Sequence, residues 1–234
     1  MKILNKDKSK LVDKVFNGVY QKYDLMNDVM SFGTHRLWKN NLVSWMKLSK
    51  NLTIIDVASG TGDIAKLCSK KTKNQSKIYC VEPNEKMLKI GKNKLSYLEN
   101  LEWVKSPAEK LPFKDNYFDI YVISFGIRNV SDIHKTLQEA YRVLKKGGRF
   151  FCLEFSKVEN EVLSKFYSSY SRIIPRIGEL IVGDRMPYDY LIQSINDFYS
   201  QKDLLDIIEQ NKFIKAEYRN LANGVAAIHT GWKI

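Results

Sequence analysis

The sequence predicts an α/β protein in which a mostly parallel sheet carries helices on both faces, built as one domain. Three observations lead there. Strand-like and helix-like segments alternate from residue 52 to residue 145. A glycine-rich turn follows the first strand-like run. The chain is 234 residues long and 44% hydrophobic, which suffices for one full core without splitting. Alternation of this kind makes the strands parallel, and ligands of such sheets bind beyond the carboxyl ends of the strands, where strand order reverses.

Taken in order, apolar spacing from Val12 to Met30 and from Leu37 to Leu48 predicts two N-terminal helices. Strands are expected at LTIIDV (52–57), KIYCVE (77–82), LEWVK (101–105), FDIYVIS (118–124) and GRFFCLEFS (148–156). Helices fit near 63–72, 85–97 and 132–145, the last with a cap at Ser131 or Asp132 and Gly147-Gly148 as its stop. Further helices fit 160–175 and 201–210, and the tail reads as two strands around Asn223-Gly224. Residues 1–50 are expected to form a helical lid over a site carried by residues 51–234.

Composition removes several function classes. The three cysteines and three histidines are too scattered for a metal knuckle, a CxxC pair or paired imidazole ligands, so no metal is expected. No apolar run approaches the roughly 20 residues that span a bilayer, and MKILNKDKSK lacks a signal core, so a cytoplasmic address is expected. The net charge is +12, yet only eight of the 38 basic residues are Arg and the lysines are dispersed. That pattern suits a solvated surface first and an anionic membrane surface second; no nucleic-acid partner is expected.

The turn after the first strand is ASGTGD. Gly60 to Ala65 fits the dinucleotide fingerprint formally, with Glu82 about 20 residues on as a ribose acid. The rival is the loop of class I S-adenosylmethionine methyltransferases, with an acid at the strand end, a small residue two on and glycines four and six on: Asp56, Ala58, Gly60, Gly62. Asp56 and Asp63 would oppose a pyrophosphate and suit a sulfonium and an amino group. Glu82 can take both ribose hydroxyls, and Ala108 with Glu109 in SPAEKLPF can meet adenine.

With YDLMNDVMSFGTHRLWK, DVASGTGD, ISFGIRNV, RVLKKGGRFFCLEFSK and NLANGVAAIHTGWK in order, the chain resembles the ubiquinone/menaquinone biosynthesis C-methyltransferases from about residue 12 onward. The resemblance implies a seven-stranded class I, Rossmann-like methyltransferase fold and methyl transfer from S-adenosylmethionine to a ring carbon of a polyprenylated quinol. It places cofactor contacts at Thr61, Glu82, Pro107 with Ala108, and Ser124, besides the loop residues Asp56, Gly60 and Gly62. It also implies contact with the inner face of a membrane (the matrix side in a eukaryote), and a homodimer or a quinone-biosynthesis complex. The chain departs from the family at Glu82 (usually Asp), Pro107 (often Asn or Asp), Gln193 (often Glu) and Tyr199 (often Pro). Pro107 removes a backbone donor, which leaves the adenine bond to Ala108 or its neighbours.

The segment after the fourth strand bears the chemistry. Ser124-Phe125-Gly126 replaces the Pro-Pro motif of exocyclic-amine methylation, and no cysteine stands there as a nucleophile. A quinol carbon becomes nucleophilic once its neighbouring oxygen ionises, so Arg128 is expected to lower the quinol pKa electrostatically and Asn129 to orient the oxygen or a relay water. Arg128 cannot be an ordinary base. Gly126 is expected to give clearance to the ring, and Tyr23 or water to take the proton. The competing reading is a surface ion pair from Arg128 to Asp132 or Glu139. Tyr20, Tyr23, Met26, Met30, Phe32 and Trp38 could cover the site, and 166–192, with Arg172, Arg176 and Arg185, could hold a prenyl tail at a membrane; helix packing competes in both places.

Overall fold

In the computed structural model, the described residues are Val12, Asp28, Ser31, 33–158 and 185–234. Alternation is realised as expected. Helix α1 (His35–Trp45) precedes β1 (Thr53–Val57), α2 (Asp63–Lys71), β2 (Lys77–Val81), α3 (Glu85–Lys94), β3 (Leu101–Val104) and β4 (Phe118–Ser124). A 3-10 turn (Ile127–Asn129) leads to α4 (Ile133–Val143) and β5 (Leu144–Phe155). Then come α5 (Met186–Asn196), α6 (Gln201–Gln210), β6 (Ile214–Leu221), a second 3-10 turn (Ala222–Gly224) and β7 (Ala226–Trp232). The helices expected over 12–30 and 160–175 lie largely or wholly outside the described residues.

The seven strands run in the order β3-β2-β1-β4-β5-β7-β6. Strands β1 to β5 are mutually parallel, and β7 is antiparallel to both β5 and β6. Strand order reverses at β1, whose neighbours are β2 and β4, so the crevice of the sheet opens beyond their carboxyl ends. The middle strands have apolar residues on both faces, and two cores result. One packs Trp38, Leu42 and Met46 of α1 on Ile54, Val122 and Phe151. The other sets Leu137, Ala140 and Val143 of α4 against Tyr121, Phe150 and Phe213. In α4 the buried Thr136, Leu137, Ala140 and Val143 recur at helical spacing, which gives that helix its inward stripe.

Caps confirm and refine the sequence reading. Asp132, rather than Ser131, caps α4 by accepting from the Lys135 amide at 3.1 Å. Ser200 and Asp203 form a reciprocal capping box on α6. One expectation is corrected: Gly147-Gly148 does not stop α4, which ends at Val143. The glycines fall inside β5, where the β4–β5 pairing slips between Phe118 and Ile120, and a Cβ on Gly148 would meet the Lys145 carbonyl at 2.8 Å.

Candidate active site

Both strands flanking the reversal end in the same strained way. Ala58 (φ 53°) and Phe125 (φ 54°), each one residue past its strand, adopt left-handed backbone conformations. Such geometry costs about 1–3 kcal/mol per residue and gathers at functional sites. The two turns wall a cleft. Its smaller chamber, about 380 Å³, is lined by residues including Lys39, Asp56, Ser59, Gly60, Thr61, Asp63 and Ser124. Its larger one, about 930 Å³ and open to solvent, is lined by residues including Gly60, Glu82, Met87, Pro107, Ala108, Gly126 and Asn129.

Thus every cofactor residue expected from the sequence lines this cleft except Gly62, and Gly62 explains itself. With φ 86° it turns the chain into α2, and a Cβ there would strike Leu95 at 2.7 Å and Trp103 at 2.9 Å. The close approach it permits is to α3 and β3, not to a ligand. Gly126 has a second duty besides lining the larger chamber: its missing Cβ makes room for Ala58 Cβ, 2.5 Å from where it would stand, and so joins the two strand-end turns.

Electrostatics divide the cleft. Asp56 is 1% exposed and accepts from the Ala65 amide at 3.1 Å; burial pushes its carboxyl up to about 8. Asp63, expected to face the cofactor's cation, is instead bound by Lys39 at 2.8 Å and Lys94 at 3.1 Å. The lysines outweigh its burial and hold its carboxyl well below the usual range. Glu82 ties the wall together: one oxygen accepts from the Gly60 amide and the other from the Asn84 amide, both at 2.9 Å. Asn84 caps α3, so Glu82 positions that cap and does not replace it. Glu82 also lines the larger chamber, where a carboxylate can accept from ribose hydroxyls. Glu109, expected at adenine, receives the Ser131 amide at 2.6 Å and fastens the β3 loop to the start of α4.

The turn after β4 answers what Arg128 faces. Its guanidinium is buried; Nη1 donates to Glu154 Oε1 at 2.6 Å and to the Phe125 carbonyl at 2.8 Å, and the group lies over the Phe155 ring. The partner is Glu154 on β5, neither Asp132 nor Glu139, and the pair is internal: the side chains are 2% and 1% exposed. Glu139 serves Arg142 and the Leu111 amide. Asn129, next in the chain, lines the cleft, and its Oδ1 accepts from the Tyr190 hydroxyl at 3.0 Å. Arg128 is therefore one layer behind the wall and Asn129 is in it.

These residues suit S-adenosylmethionine. Ser59 and Ser124 present buried hydroxyls that bond to nothing among the described residues, as chamber walls awaiting a polar ligand would. Asp56, an acid with no ion-pair partner among the described residues, and a lysine, Lys39, share that chamber, as an amino-acid end with an ammonium and a carboxylate requires.

The ubiE/COQ5 methyltransferase family model matches residues 2–233. The chain belongs to that family. It is 49% identical to the ubiquinone/menaquinone biosynthesis C-methyltransferase UbiE of Brucella abortus, over 97% of this chain and 87% of that one, and equally identical to that of Brucella anthropi, of which it covers 89%. A SAM-dependent methyltransferase of Thermotoga maritima superposes with TM-score 0.66 at 20% identity over 94% of this chain and 99% of its own. One of Aquifex aeolicus gives 0.63 at 20% identity over 92% and 97%. Those two share the fold. The protein is a methyltransferase that uses S-adenosylmethionine.

Sequence reasoning missed three residues of this methyltransferase's site. Glu154 left a signal, a lone acid in the apolar run RFFCLEF. Lys39 and Tyr190 left none, since Lys39 reaches the cleft, and Tyr190 reaches Asn129 in its wall, from helices whose docking only the folded chain fixes. Of the residues expected to cover the site, Trp38 is in the core against Phe125 and Phe155; Tyr20, Tyr23, Met26, Met30 and Phe32 are outside the described residues, as are Arg172 and Arg176. Within 185–192, Pro187, Tyr188 and Leu191 pack inward and Arg185 pairs with Asp189 on the surface. The three cysteines are buried and line neither chamber.

Proposed function

We propose that this protein methylates a ring carbon of a polyprenylated quinol, with demethylmenaquinol and 2-polyprenyl-6-methoxy-1,4-benzoquinol as the substrates to test first. The observation that carries this reading is the turn Ile127–Asn129, which puts a fixed amide in the cleft wall and an arginine behind it. Relatives half identical in sequence are named for this chemistry.

When bound, S-adenosylmethionine supplies an electrophilic methyl on a sulfonium. Lys39 and Asp56 receive its amino-acid end, Ser59, Thr61 and Ser124 bond along the chamber, and Glu82 takes the ribose. Pro107 has no amide hydrogen, so Ala108 donates to the adenine edge. Asn129 meets the quinol oxygen, and Arg128 favours its ionised form from behind. The full charge of Arg128 does not reach the cleft, because Glu154 opposes it; the field there is that of an oriented pair. The ring carbon takes the methyl as that methyl's bond to sulfur breaks, leaving a neutral thioether and a dienone; the carbon then loses its proton to water and the oxygen is reprotonated, so the net proton released is the one lost when the quinol ionised. A peripheral contact with an anionic membrane surface belongs to the same proposal; the lid expected of residues 1–50 and the tail groove expected of 166–192 lie in large part outside the described residues.

Incubating the protein with methyl-labelled S-adenosylmethionine and two short-chain quinols, one a naphthoquinol and one a benzoquinol, tests this. Label on a ring carbon of either supports the reading. Firm cofactor binding without label on either removes the quinol reading. Flotation with anionic liposomes at low salt tests the membrane contact, and failure to float removes it.

A further inference from the structure

We propose that Tyr190 is a positioning residue for methyl transfer, fixing which end of the Asn129 amide meets the substrate. This rests on reading the cleft as a quinol site. Tyr190 stands on α5 (Met186–Asn196), and its hydroxyl donates to Asn129 Oδ1 at 3.0 Å. An asparagine amide offers an acceptor at one end and two donors at the other, and the two orientations have nearly the same shape. With Oδ1 engaged by the helix, Nδ2 is the end left for the cleft, where it bonds to nothing among the described residues. The wall therefore presents a donor and not an acceptor.

That choice selects a form of the substrate. A donor bonds an ionised oxygen about twice as strongly as a neutral one, whereas an acceptor in the same place would favour the hydroxyl and oppose its ionisation. A phenol can donate or accept, and here it is the proton donated to Oδ1 that sets the amide this way round, which requires the phenol to stay protonated. Burial raises the pKa of Tyr190, and Glu154 pushes in the same direction against Arg128. The two supports of the turn are thus complementary: Glu154 holds Arg128 from β5, and Tyr190 holds Asn129 from α5.

Tyr190→Phe keeps the ring and removes the bond. We expect kcat on the preferred quinol to fall about tenfold, with cofactor affinity and melting temperature unchanged. Asn129→Ala should fall about a hundredfold, the scale of losing one donor to a developing oxyanion, and adding Tyr190→Phe to it should cost nothing more. Wild-type kcat in Tyr190→Phe, or the full tenfold loss persisting in the Asn129→Ala background, overturns the proposal. Side-chain amide relaxation of Asn129, read without any substrate, should show an ordered NH2 group in the wild type and a mobile one in Tyr190→Phe; equal order in both also overturns it. Should the wild type methylate neither quinol, the substrate reading fails while the relaxation data still decide what Tyr190 does.

Discussion

At the β1 end of the cleft, Asp56 is buried with no ion-pair partner among the described residues, and Lys39 beside it is engaged by Asp63. At the β4 end, Arg128 and Glu154 are buried against each other at 2.6 Å. Both ends remove charge from water, and they do it in opposite ways. On the proposed reading, Asp56 takes up a proton until a cation arrives, whereas Arg128 is sealed against Glu154 and its neighbour Asn129 carries the contact. Under the proposed function the binding end is thereby poised to change its charge, whereas the arginine at the other end keeps its own.

Breaking the sealed end should have the largest effect. Glu154→Gln takes from the buried Arg128 guanidinium the carboxylate that opposes its charge, which should cost about 3–5 kcal/mol of stability in a denaturant titration and most of the turnover. Arg128→Met with Glu154→Leu should recover most of the stability, since apolar replacement of a buried pair is often neutral, yet turnover should remain at least about a hundredfold down. Recovery of both would make the pair purely structural.

Glu82→Ala comes next. It strands the Gly60 and Asn84 amides and removes the ribose acceptor, so the calorimetric Kd for S-adenosylmethionine should rise at least about tenfold, or 1.4 kcal/mol. Thermal stability should fall as well, because each stranded amide costs about 1–3 kcal/mol.

The open end should show its character through pH. With the Asp56 carboxyl at about 8 in the folded chain and 3.8 as its ordinary value, the folded state holds a proton that the unfolded state releases between those values. Stability should therefore decline as pH rises from about 4 to about 8, and Asp56→Asn should flatten that decline. Cofactor binding favours the ionised form, so it should release a proton and strengthen as pH rises from 6 to 8; calorimetry in buffers of different ionisation enthalpy reads the proton directly. Binding with no proton exchange would refute the contrast between the two ends. The smallest effect belongs to Lys39→Met, a rise in cofactor Kd of a few fold, since Lys94 still neutralises Asp63.

Period and punctuation made the sheet legible in the sequence: five of the strands, the glycine turn and the last hairpin fall where apolar runs and turn residues put them. The residues lining the cleft were legible because a strand's carboxyl end is fixed once the strand is known. What stayed hidden depends on which helix docks where. Gly62 read as a ligand glycine until Leu95 and Trp103 were seen to crowd it, and the contact of Gly126 with Ala58 was equally hidden. Asp63 read as a free acid because Lys39 is 24 residues away in sequence. Arg128 raised a question its own segment could not answer, since its partner comes from the next strand of the sheet.

The central claim is that the turn Ile127–Asn129 stabilises an ionised aryl oxygen in the cleft. It is tested most directly by titrating a redox-inert naphthol bound to the protein with S-adenosylhomocysteine, following the absorbance of the naphtholate. We expect its pKa to be lowered by about one to three units relative to solution, as a nearby donor and cation do, and to return toward the solution value in Asn129→Ala and in the Arg128→Met, Glu154→Leu double variant. A bound naphthol that ionises no more easily than in water would contradict the account.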